Sequence, residues 1–390
     1  MEKTSPEGIV TWAEIDLDAI DFNVRAIKQH VGKKVKVIAV VKANAYGHGA
    51  VPVASSALEA GAEMLAVHRA IEGVELRKAG IVSPILIMGY TPPDSAEMAA
   101  VWRLTASLIS METARALSLR ATALGVSVPV HVKVDTGMNR YGLLPTEVVD
   151  FLLSLRDKPG IILEGLFTHF ATADWTDQTD ARKQLAVFNQ VWQAVEQAGI
   201  RLPILHAANS AATMQFPEAH FDAVRPGIAI YGMDPSGEWP PVFEIHPALS
   251  LKSRVSRIHE LTTGDGVSYG RTFIAQKPTR AALVPIGYGD GYHRILSNRG
   301  SVLIGGKRAP IIGRVSMDQI VVDINDISGI RLDDDVVILG RQGQECIRVE
   351  EVAELAGTIN YEVTTSLLPR VARVFIKGGQ VIQITSISDS

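Results

Sequence analysis

Eight short apolar runs, alternating with stretches of helical periodicity, leave few folds open to this chain. The runs fall at 35–42, 63–67, 84–89, 106–109, 130–134, 162–167, 204–207 and 223–225. Between them, 180–196 places Leu185, Phe188, Trp192 and Val195 on a single helical face. In 17–30, Asp18 is positioned to cap an amphipathic helix. Sequential parallel strands need helical crossovers, so eight strand–helix repeats predict a (β/α)8 TIM-type barrel, an α/β fold. A doubly wound sheet would usually carry a G-x-G-x-x-G turn after its first strand. Here the first run leads into KANAYGHG instead.

The texture changes near residue 240. WPPVFEIHP (239–247) reads as a linker, and short strands with Gly-rich turns follow, with one helical segment near VEEVAELAGTIN. The expected division is a barrel over 14–240 and a mostly-β C-terminal domain over 241–390, joined by residues 1–13. Apolar residues at 47% and charged residues at 21% suit a globular chain with a large core. A net charge of −4 gives no general attraction to nucleic acid or to an anionic membrane. No run approaches the ~18 apolar residues of a membrane span. The N-terminus shows no basic-then-apolar signal pattern, so a cytoplasmic location is expected. The single cysteine, Cys346, excludes intrachain disulfides and thiolate zinc sites.

Catalytic groups of barrel enzymes cluster at the C-terminal ends of the strands. Lys42 ends the first run, Lys133 and Arg140 lie at and after the fifth, His169 follows the sixth, His206 ends the seventh, and Arg225 ends the eighth. An amine at the end of an apolar strand is desolvated, which lowers its pKa and suits a Schiff-base nucleophile. The same lysine could equally extend its amine into solvent. Asn209 and Ser210 in HAANSAAT, with the backbone of Gly227 and Ile228 in RPGIAIYG, could cradle a phosphate, or the first two could simply cap the next helix. His169 and His206 lack a third ligand in any recognisable pattern, so no metal is expected. His48, His68 and His131 read as structural. Tyr269, Tyr288 and Tyr361 stand in loop-like contexts and suggest a polar aromatic lining.

Taken in order, AVVKANAYGHG, KVDTGMNRYG, THFATAD, HAANSAAT, VRPGIAIYG, VSYGRTF, GYGDGY, GRVSMDQ and TINYEV resemble the successive motifs of the alanine racemase family. The resemblance implies a pyridoxal 5'-phosphate (PLP) isomerase that interconverts L- and D-alanine for bacterial peptidoglycan, working as a homodimer with shared active sites. It implies that Lys42 carries the cofactor as an internal aldimine and acts as one base, with Tyr269 of the partner subunit as the other. It places Arg225 on the pyridine nitrogen, His169 against the ring, and Tyr46, Ser210, Gly227, Ile228 and Tyr361, with Asn209 beside them, at the phosphate. It gives His206 as a support for Tyr269, and Arg140 as a contact of the phenolic oxygen and of substrate. Met317 and Asp318 belong to the substrate side, Tyr288 to an entrance corridor, and Lys133 to a position that can carry a carbamate.

Ser316 replaces the family's usual cysteine, and 367–373 lacks a usual tyrosine and shifts a proline. One rival is a PLP-dependent decarboxylase on the same barrel, but Cys346 lies outside any reactive-cysteine motif. Others are a racemase of broader scope, which resembles secreted cysteine-bearing proteins, and a single-domain PLP carrier without turnover.

Overall fold

The computed structural model describes residues 8–387, so the part of the expected N-terminal join that falls on residues 1–7 lies outside it. The chain forms two compact units. One comprises Ile20–Ala45 and Ala50–His246; the other takes the residues up to Ala19, Tyr46–Gly49, and everything from Pro247 onward.

The first strand, β1 (Thr11–Asp16), belongs to the second unit. It pairs antiparallel with a strand at Leu249–Arg254 and parallel with one at Ala372–Lys377. This is the centre of an eight-stranded sheet, and a three-stranded sheet (Arg257–Leu261, Thr279–Val284, Ile320–Asp323) accompanies it. Local sequence gives no hint of such distant pairing. At the end of β1 the helix Leu17–Val31 begins. Its cap is Asp16, whose Oδ1 accepts from the amides of Asp18 (2.9 Å) and Ala19 (3.1 Å). Asp18, the expected cap, lies within the first turn and accepts from the amide of Gly378 instead.

The eight apolar runs form the barrel of the first unit: β2 (Lys36–Val40), β3 (Met64–Val67), β4 (Ile85–Ile87), β5 (Thr105–Leu108), β6 (Val128–Lys133), β7 (Ile161–Phe167), β8 (Ile204–His206) and β9 (Ala223–Val224). Each pairs with the next, and β9 closes on β2. Strands covered on both faces read as continuous apolar runs, which is why they were legible. The helix Thr179–Gln197 turns Leu185, Phe188 and Val195 inward, with Val191 in the place expected of Trp192, which is only half-buried. One irregularity matters for the site. The β6–β7 register shifts at His131, and Gly165 faces it across the pair. A Cβ on Gly165 would lie 2.6 Å from His131 Nδ1, so the glycine makes room for the imidazole.

Lys42 lies two residues past the end of β2 and opens a turn of unusual hand. Ala43, Asn44, Ala45 and Tyr46 have φ of 53°, 52°, 51° and 53°. Left-handed backbone costs a non-glycine residue about 1–2 kcal/mol, so four in a row need external support. Ala45 N donates to Val41 O (2.9 Å), Ala50 N to Asn44 Oδ1 (2.8 Å), and Ala43 N to Glu72 Oε1 (2.7 Å).

Candidate active site

Lys42, Lys133, Arg140, His169, His206 and Arg225 come together at the C-terminal rim of the barrel, as the run ends suggested. Burial, then the charge of Arg140, lowers the Lys42 amine below its ordinary pKa, while Glu72 opposes the shift. Burial, then Arg225 and Arg140, brings buried Lys133 down to about 8. Its Nζ lies 5.0 Å from the ring centre of Tyr141 and 5.5 Å from that of Phe167, so it does not point outward. The carboxylates nearest this positive cluster are already engaged. Asp135 accepts from the amides of Gly137, Asn139 and Arg140, and Glu72 from three others. A site with surplus buried cation favours an anionic ligand.

Arg225 is 2% exposed, and burial lowers it to about 9, still cationic at neutral pH. Its Nη1 donates to Nδ1 of His206 (2.8 Å). Its Nη2 donates to Thr168 O (2.7 Å), Ala207 O (3.0 Å) and Nδ1 of His169 (3.2 Å). A guanidinium only donates, so His206 must accept at Nδ1 and carry its proton on Nε2. That Nε2–H meets Nδ1 of His131 at 2.7 Å, which places the His131 proton on Nε2, 3.0 Å from Glu164 Oε2. The order of protons from Arg225 through two neutral imidazoles to a carboxylate is therefore fixed. Burial pushes His131 below the ordinary histidine pKa and His206 well below it, in keeping with neutral rings. The remaining donor of Arg225, Nε, is buried with no hydrogen-bond partner.

This arrangement corrects two expectations. His206 has both ring nitrogens occupied, by Arg225 and His131, and so cannot support Tyr269. His169 keeps one ring nitrogen unengaged. Its Nδ1 accepts from Arg225, and burial together with Arg225 lowers its pKa well below the usual value, leaving a neutral ring with Nε2–H free to donate. His131, read as structural, is part of the Arg225 chain. A histidine in mid-strand carries no local signal of such a role.

At the start of the helix Ser210–Gln215, Asn209 Oδ1 caps Ala212 N (2.9 Å). Ser210 Oγ accepts from Gly227 N (2.8 Å) and Ala229 N (3.3 Å), so its own O–H remains to donate. The amide of Gly227, expected as a direct phosphate donor, is thus committed to Ser210.

In the second unit, Tyr46 is buried, and its ring centre lies 5.9 Å from that of Tyr361. Tyr361 stands on the helix Asn360–Thr365, not in a loop. Arg373 donates to Gly47 O (3.1 Å) and to the carbonyls of Leu367, Leu368 and Val371, fixing the chain after Tyr46. Tyr269 is 70% exposed on a tight turn. Tyr288, Met317 and Asp318 form one cluster: Tyr288 N donates to Ser316 O, Gly289 N donates to Met317 O (2.8 Å), and Arg370 bonds Asp290 and Asp318. A Cβ on Gly287 would lie 2.3 Å from Ser316 O, which accounts for a glycine there. Arg370 comes from the segment that departs from the family pattern, and it is engaged nonetheless.

Residues 15–235 match the family model for the alanine racemase N-terminal domain, and 248–375 match that for the C-terminal domain. The chain belongs to the alanine racemase family. It is 45% identical over 367 residues to an alanine racemase of Desulforamulus reducens, covering 94% of this chain and 98% of the relative. It is 43% identical over 365 residues to that of Halothermothrix orenii, covering 94% and 96%. The structure matches the crystal structure of alanine racemase from Bacillus anthracis with bound L-Ala-P. The TM-score is 0.94 and the identity 41%, covering 99% of this chain and 100% of that one. Among the described residues of this alanine racemase family member, no group of three or more His, Cys, Asp or Glu could hold a metal ion. No helix among them is long and apolar enough to cross a membrane.

Proposed function

We propose that the chain is an alanine racemase that uses PLP to interconvert L- and D-alanine. The observation that carries this reading is the partnerless Nε of Arg225. A buried unsatisfied donor costs about 1–3 kcal/mol, and a neutral pyridine nitrogen is an acceptor of the right kind. The surrounding cations suit the cofactor's phosphate and phenolic oxygen. Lys42 would bond the cofactor, Arg140 would face the phenolic oxygen, and His169 would lie against the ring. Ser210, oriented by the amide of Gly227, would hold the phosphate with Asn209 and Ile228, joined on family likeness by Tyr46 and Tyr361.

When bound, PLP supplies the electron sink that makes an amino acid's α-proton removable. Racemisation removes that proton from one face and returns one to the other, so bases are needed on both sides. Lys42 serves one face. Its lowered pKa leaves more of the amine neutral near pH 7, able to take a proton. Tyr269 of the partner subunit serves the other, in a homodimer with shared active sites, and the Nε2–H of His169 stabilises its phenolic oxygen. Arg225 can only donate, so it would leave the ring nitrogen of a bound cofactor unprotonated and moderate the sink. Arg140, Met317, Asp318 and Tyr288 bind and admit the substrate. The reading carries with it a cytoplasmic supply of D-alanine for peptidoglycan.

The test is purified protein loaded with PLP. Borohydride reduction should label Lys42, identified by peptide mapping, and circular dichroism should follow L-alanine to the racemate. Release of carbon dioxide without racemisation, or faster racemisation of another amino acid, would overturn the assignment.

A further inference from the structure

We propose that Glu72 is a positioning residue for Lys42, holding the backbone that sets where the amine points. The inference rests on the reading of Lys42 given above. Glu72 lies in the first turn of the helix Ala70–Lys78, after β3. Its Oε2 accepts from the amides of His68 (2.7 Å) and Arg69 (2.8 Å), which is ordinary helix capping. Its Oε1 reaches out of the helix to Ala43 N at 2.7 Å. That amide belongs to the peptide joining Lys42 to Ala43, so the bond fixes the peptide plane beside the lysine. Ala43 and Asn44 are exposed, and core packing therefore does not hold them in their left-handed conformation. Glu72 thus couples the rim beyond β2 to the rim beyond β3. Its negative charge also opposes the lowering of the Lys42 pKa. A glutamine has one acceptor oxygen and cannot serve both sides.

In full-length protein loaded with PLP, Glu72→Gln should speed hydrogen exchange across 43–50 by roughly tenfold. It should lower kcat by roughly ten- to a hundredfold through misplacement of the amine, with KM for alanine within about twofold. Glycine takes positive φ without a Cβ penalty, so Ala43→Gly in the Glu72→Gln background should recover roughly fivefold of the lost kcat. Faster exchange confined to 68–72, an unchanged kcat, or no recovery when Ala43→Gly is added would each overturn the proposal and leave Glu72 a helix cap. Borohydride labelling of wild type at a lysine other than Lys42 would instead refute the reading of Lys42. The exchange data would still decide whether Glu72 holds the turn.

Discussion

Arg225 holds its charge where water cannot solvate it, and His206, His131 and Glu164 spread the compensation outward to a half-buried carboxylate. Replacing His131 by Leu strands the Nε2–H of His206 in a fully buried place. It should lower the unfolding free energy by about 1–3 kcal/mol at pH 7.5, read from urea denaturation. The same rings predict the acid response. His131, His169 and His206 are neutral when folded but take a proton near pH 6.5 when unfolded. Stability should be complete above about pH 6.5 and fall below it, by up to about 1.4 kcal/mol per pH unit for each histidine. His131→Leu should flatten that slope, and equal slopes in variant and wild type would count against neutral buried rings. Lys133, near 8 and beside Arg225 and Arg140, has enough neutral amine to react with carbon dioxide. A carbamate would turn its repulsion from Arg140 into a charge-assisted bond. Labelled bicarbonate should give a carbamate carbon resonance that Lys133→Ala abolishes.

Elements were legible where periodicity reports burial, and illegible where distant partners decide. The eight barrel strands read directly as apolar runs, and Lys42, Lys133, His206 and Arg225 could be placed at the barrel rim because each stands at or near a run's end. The cap shifted from Asp18 to Asp16 because only geometry tells which carboxylate faces the free amides. His131 was missed because its partners come from β7 and β8. The Lys42 turn hid its hand because Ala-Asn-Ala-Tyr contains no glycine. At the start of the helix Ser210–Gln215 the two polar residues have separable duties. Asn209→Ala should cost about 1 kcal/mol of stability through the lost cap. Ser210→Ala should weaken PLP binding to the cofactor-free protein by roughly tenfold, about 1.4 kcal/mol, read by fluorescence titration. Undiminished binding would mean that the Ser210 hydroxyl does not reach the phosphate.

At the scale of the whole molecule, the proposed sharing of active sites across a homodimer makes a quantitative prediction. Homodimers of Lys42→Ala and of Tyr269→Phe should each be nearly inactive. Mixed by refolding, with exchange verified by mass-tagged subunits, they should regain about a quarter of wild-type activity, because half of the dimers then hold one intact site. If Tyr269 served its own chain's site, the mixture would stay inactive. The central place of β1 has a consequence for how the protein is made. β1 leaves the ribosome well before its parallel neighbour, Ala372–Lys377, because the whole barrel lies between them in the sequence. At about 5–20 residues per second, β1 waits roughly 20–70 s for that partner while the barrel residues emerge between them. During synthesis the nascent chain therefore carries an orphan strand edge, and the charged Glu14 and Asp16 on it are the kind of residue that keeps such an edge from pairing with a stranger.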